Sequence, residues 1–328
     1  MTKRKLGKTG FSVSEISLGT WQVGGKWGST FNDATAEKII NTALDRGINF
    51  IDTADVYSDG QSEEAVGRVV KSRSERIYVA TKCGRQIKPH VSKGYTPEAL
   101  RSYVEDSLKR TGLDRLDLIQ LHCPPTEVYH RPEIFGLFED LKQEGKIAYL
   151  GVSVEKIEEA VKASEYDNVA TVQIIFNMFR QRPAEDFLPL SRKRNLGIIV
   201  RVPLASGLLS GKFSADTRFD PQDHRNFNRD GSAFDKGETF SGVPYETGLQ
   251  AVEELKELFS GSTALAAVAL RWILMFPEVS TIIPGASRPE QVEANIGAAD
   301  LSPIPEVQME GVRKVYDKYI KALVHQNW

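Results

Sequence analysis

Cysteine is nearly absent: Cys83 and Cys123 are the only two in 328 residues, too few for a disulfide framework. Long apolar runs are missing as well. The longest, Leu265 to Phe276, has 12 residues and is interrupted by Arg271, so no segment suits a bilayer span. Charge of one sign is lacking: 42 basic against 44 acidic residues leave a net charge of −2, with no electrostatic footprint for nucleic acid or an anionic membrane. The opening MTKRKLGKTG is basic but no apolar h-region follows it, so no secretory signal is expected. The five histidines show no metal-ligand spacing and no Cys-x-x-Cys exists, so no metal is expected. No Gly-x-Gly-x-x-Gly follows a strand pattern, and Gly207 to Phe213 lacks the spacing and the hydroxyl of a P-loop. These absences point to a soluble cytoplasmic chain with small-molecule partners.

What is present is a rhythm. Short aliphatic runs recur at 16–18, 49–52, 77–82, 116–122, 148–153, 169–175, 197–202 and 280–284. Near-continuous apolar character is what a strand needs when both its faces are buried. Between the runs lie amphipathic segments with helix signals. Thr96-Pro97-Glu98 supplies a cap, a first-turn proline and an acid; Leu100, Val104 and Leu108 supply the stripe and Gly112 the stop. Asp33, Ser62 and Pro132 open three others. Strand and helix alternating eight times predict an α/β fold, a (β/α)8 TIM barrel read as one domain over 1–328. A long polar loop, 214–246, follows the seventh strand; helices are expected over 249–259, 262–276 and 305–323.

In such a barrel the working side chains stand at the C-terminal ends of the strands. There the sequence offers Asp52, Lys82 and His122 from three neighbouring strands, with Tyr57 in the loop after Asp52. Singly these are an ion pair, a core histidine and a turn aromatic. Together they make a phenol tuned by an ammonium, a carboxylate fixing that ammonium, and an imidazole able to orient a carbonyl.

Ile51-Asp52-Thr53-Ala54-Asp55-Val56-Tyr57, Thr81-Lys82 and Leu121-His122 resemble motifs of the aldo-keto reductase superfamily, NADPH-dependent barrel oxidoreductases. The resemblance runs from Leu18-Gly19-Thr20-Trp21 to Asn295 and implies reduction of an aldehyde or ketone. In it Tyr57 is the general acid, Asp52 and Lys82 its tuners, and Trp21, Tyr57 and His122 walls of the substrate pocket. It further implies NADP(H) as cofactor. Gly19, Thr20 and Trp21 contribute to its site. Ser153 and Gln173 hold the carboxamide, and Pro203, Leu204, Ser206, Gly207, Leu208, Ser210 and Lys212 the pyrophosphate. Gly285, Ser287, Arg288, Gln291 and Asn295 hold the adenosine phosphate. Val154 and Arg201 depart from the family: the first replaces an asparagine, the second an aromatic that stacks on nicotinamide. Asp223, His224, Arg225 and Arg229 are expected to help hold the cofactor, and the aromatic residues of 214–246 to wall the pocket. Cys83 and Cys123 are expected to be reduced packing residues rather than a redox pair. The alternatives are a Schiff-base aldolase using Lys82 and a non-catalytic nucleotide-binding subunit.

Overall fold

The computed structural model of the chain describes residues 1–25, 29–261 and 263–328. A small antiparallel hairpin, β1 (Lys3–Lys5) with β2 (Ser12–Ser14), precedes the main sheet. Eight parallel strands follow in chain order: β3 (Leu18–Gly19), β4 (Phe50–Asp52), β5 (Tyr78–Cys83), β6 (Leu116–His122), β7 (Ile147–Ser153), β8 (Val169–Ile175), β9 (Gly197–Arg201) and β10 (Val279–Ile282). Bridges from Ile16 to Ile282 and from Gly19 to Gly285 bring the last strand back to the first, making a (β/α)8 barrel. All eight expected strands occur, within one or two residues of their expected bounds.

Most helices lie where periodicity and caps put them; the one expected over 249–259 starts earlier, within the expected loop, and spans Tyr245–Leu258. Asn32, one residue before the expected start, caps Asp33–Asp45 by accepting from Thr35 N; Thr96 caps Pro97–Thr111 by accepting from Ala99 N. The expected helix start at Ser262 lies outside the described residues, and the observed helix spans Leu265–Leu274. The last expected helix is divided: Glu306–Val315 passes into a π-helical turn, Tyr316–Ile320, before Lys321–Val324. Among the described residues no helix is long and apolar enough to cross a membrane.

The barrel interior explains where the polar residues end up. Phe50, Ala80, Leu118 and Ile199 meet inside one end of the barrel with Leu6 and Val13 of the hairpin segment, forming an apolar floor. Side chains alternate across a strand, so residues two positions further on point inward as well. Those are Asp52, Lys82, Gln120 and Arg201, and one more step along β6 gives His122. The parallel register sets Lys82 beside Gln120, His122 beside Ser153, and Ser153 beside Gln173. An apolar floor thus carries a polar layer directly above it.

Candidate active site

Lys82 Nζ is the centre of that layer. It lies 2.5 Å from Asp52 Oδ2, donates to Thr53 O at 2.8 Å, and lies 3.2 Å from Tyr57 Oη. Both members of the ion pair are buried. Asp52 Oδ1 accepts two amides, from Gln173 Nε2 at 2.7 Å and Gln120 Nε2 at 3.0 Å, so both carboxylate oxygens are satisfied. Tyr57 reaches the group from a tight turn: its N–H bonds Ala54 O, and the chain returns through Gly60 at φ +89° into helix Gln61–Lys71. The positive φ at Gly60 is what calls for glycine in this turn; a Cβ there would meet only the flexible Arg110 side chain, 2.5 Å away.

Burial raises the Tyr57 phenol above its ordinary value; the Lys82 charge pulls downward without overcoming it. An ammonium within hydrogen-bond reach would by itself lower this group. The phenol instead stays protonated, as a proton donor requires. Burial opposes the Lys82 charge, but Asp52 and then Tyr57 outweigh it and hold the ammonium protonated. His122 is driven the other way. Burial, then Arg85, Lys82 and Arg201, push its imidazole well below the usual histidine range, so it is neutral at pH 7. Its ring stands edge-on to Tyr57, centroids 6.0 Å apart, and its Nδ1 has no partner among the described residues. Trp21 stacks beside Tyr57 at 6.2 Å.

A cavity of about 660 Å³ runs from Asp52, Tyr57 and His122 to Gly285, Arg288 and Gln291. Gly19, Thr20, Trp21, Gln173, Arg201, Pro203, Leu204, Ser206, Gly207, Ser210 and Lys212 line it too. The other residues expected at the cofactor have partners within the protein. Ser153 is buried with Oγ 3.4 Å from Cys123 Sγ, Leu208 packs in the core, and Ser287 bonds the Gln291 side chain. Asn295 donates to Gly285 O at 3.4 Å. Arg201 is held by Val154 O at 2.9 Å and lies 3.6 Å from Glu238. The acid and the carbonyl thus fix the guanidinium at the rim of β9.

The long loop contributes His224, Arg225, Phe234 and Glu238 to the cavity. Asp223 is spent on pairing with Arg225, and Arg229 donates to Arg225 O and packs over Phe219 and Tyr245. Phe219, Phe240 and Tyr245 form their own cluster, which leaves Phe234 as that loop's aromatic wall. Sequence reasoning missed Gln120, Arg85 and Glu238. Gln120 was visible as the one amide inside the apolar run Leu116–Leu121; the other two carried no local signal. The Cys83 and Cys123 thiols are both buried and raised by that burial, Cys123 to about 11.

A family model described as Aldo/keto reductase family matches residues 15–317. The chain belongs to this family. It is an oxidoreductase, and members of the family bind a nicotinamide cofactor. It is 31% identical over 320 residues to an uncharacterized oxidoreductase, YqkF, of Bacillus subtilis, covering 95% of this chain and 96% of that protein. It is 29% identical to an NADH-specific methylglyoxal reductase of Escherichia coli, covering 92% and 94%. The solved glycerol dehydrogenase AKR11B4 from Gluconobacter oxydans superposes with a TM-score of 0.76 at 30% identity, covering 97% and 96%.

The donor set suits such a cofactor. The turn after β9, where Ala205, Ser206 and Gly207 take successive positive φ values of 47°, 54° and 97°, brings Ser206, Gly207 and Ser210 to the cavity wall. Lys212 and Arg288 supply positive charge to the cavity lining, and helix Pro289–Ile296 starts beside Arg288.

Proposed function

We propose that the protein reduces an aldehyde or ketone to an alcohol by hydride transfer from NADPH, with Tyr57 as general acid. One observation carries this reading: Lys82 Nζ lies between Asp52 Oδ2 at 2.5 Å and Tyr57 Oη at 3.2 Å, buried behind the cavity that Asp52 and Tyr57 line. Reduced nicotinamide supplies the hydride when bound. The remaining work falls to side chains of this chain. Neutral His122 donates to the carbonyl oxygen and orients it; Tyr57 gives its proton to the alkoxide oxygen as charge develops there. The Lys82 ammonium then stabilises the phenolate left behind, and Asp52 with Gln120 and Gln173 holds that ammonium in place.

Arg288, mostly exposed at the far end of the cavity, favours a 2′-phosphate and hence NADP(H) over NAD(H). An aldolase role for Lys82 fits poorly. Its ammonium is locked to Asp52 and kept protonated, whereas Schiff-base formation needs a free amine. The test is a panel of aldehydes, ketones and sugars assayed by loss of reduced-nucleotide absorbance with NADPH and NADH. Carbonyl-dependent oxidation, faster with NADPH, is expected. No oxidation across the panel overturns the reading.

A further inference from the structure

Two guanidinium groups face the proposed reacting centre, and the proton chemistry uses neither. Arg85 lies three residues beyond Lys82, after β5, and Arg201 ends β9; both line the cavity with Tyr57 and His122. Both charges help hold the His122 imidazole neutral, and both side chains line the same cavity as that group. Arg201 donates through Nη2 to Val154 O at 2.9 Å and to Cys123 Sγ at 3.5 Å; its buried Nε has no partner among the described residues. The acid contacts of Arg85 both run through Nη1, to Glu238 at 3.2 Å and Glu155 at 3.9 Å.

The charge count is uneven. Arg85 and Arg201 share a single ionised acid, since both lie nearest the same Glu238 Oε1. Burial first, then Asp235 and Glu238, raise Glu155 to about 8, so it is largely protonated at pH 7. Among the charges around them, Lys82 is matched by Asp52, Arg225 by Asp223 and Arg180 by Asp235, while Lys212 and Arg288 line the part of the cavity assigned to the nucleotide. One positive charge is left in excess beside His122 on largely buried side chains, where an unpaired ion is costly and an arriving anion correspondingly favoured. Cys123, Glu155 and Glu238 bring three possible metal ligands within 4.8 Å. Two guanidinium groups inside that cluster repel a cation, so its charge suits an anion.

Resting on the reductase reading, we propose that Arg85, backed by Arg201, binds an anionic group on the substrate, so that the preferred substrates are carbonyl compounds carrying a carboxylate or phosphate. The free edge of a guanidinium matches both anions through paired N–H donors.

The test compares matched pairs with the full-length protein and NADPH: succinic semialdehyde against butanal, and glyceraldehyde 3-phosphate against glyceraldehyde. The wild type should show kcat/KM at least fivefold higher for the charged member of one pair, and that pair identifies the anion. Arg85→Gln should lower the charged-to-neutral ratio at least fivefold, chiefly through KM, and Arg85→Lys should restore part of it. Should Arg85→Gln not fold, succinate must inhibit butanal reduction by the wild type competitively while butyramide does not. Smaller ratios, or no competition by succinate, overturn the anion site and leave the reductase reading standing. No NADPH oxidation with any of the four compounds overturns the underlying reading instead.

Discussion

Replacing Lys82 by methionine removes the ammonium and keeps the stem. Asp52 then retains two amide donors but loses its counter-ion at 2.5 Å in a buried site. Breaking a buried pair from one side costs about 3–5 kcal/mol, because the surviving charge is left uncompensated. With unfolding entropy of ~2.1 cal/mol/K per residue, 328 residues give ~0.7 kcal/mol/K, so Tm should fall by roughly 4–7 °C. Asp52→Asn/Lys82→Met removes both charges and should recover much of that loss, a coupling of about 2–4 kcal/mol. Thermal and denaturant unfolding of the wild type, both single variants and the double variant measure it. In the same proteins turnover should fall about 10²–10⁴-fold wherever Lys82 is gone, since the phenolate left by proton donation has lost its ammonium. Additive stability losses, or a folded Lys82→Met protein with more than a tenth of wild-type turnover, would refute this account.

Arg288→Ala should lower the NADPH-to-NADH ratio of kcat/KM by about tenfold, a modest figure because the side chain is mostly exposed; an unchanged ratio places phosphate recognition elsewhere. Asp55 is buried with neither carboxylate oxygen hydrogen-bonded among the described residues, and burial, then Glu63, raise it to about 7. An acid raised on folding carries little penalty at or below about pH 4, where the folded chain is protonated and the unfolded one about half or more so. The penalty grows as pH climbs toward 7 and stays constant above, at about 4 kcal/mol. Asp55→Asn should therefore raise Tm by several degrees at pH 8 and leave it unchanged at pH 4, as read by thermal unfolding; a variant less stable at pH 8 contradicts this.

Much of the barrel was legible because its strands are buried on both faces and so spell apolar runs: the reading of Leu116–His122 and Val169–Ile175 matches the observed strands residue for residue. The N-terminal hairpin was not. Lys3–Lys5 and Ser12–Ser14 are short and polar, and what fixes them is the packing of Leu6 and Val13 into the barrel floor. In the site, Asp52, Lys82, His122 and Tyr57 were legible from their spacing and strand-end positions. Gln173 was expected at the cofactor; it lines the cavity and its amide also serves Asp52, a contact that depends on three strands closing round one carboxylate. Arg201 was expected against a nicotinamide. Its tie to Glu238, 37 residues on in a long loop, is a tertiary fact that no local pattern encodes.

The proton donor is the heart of the proposed chemistry, and Tyr57→Phe removes a single oxygen from it. With nucleotide affinity, read by protein fluorescence, held within a few-fold of the wild type, carbonyl-dependent NADPH oxidation should drop at least a hundredfold. A folded, nucleotide-binding Tyr57→Phe protein that keeps more than a tenth of wild-type turnover would contradict the assignment.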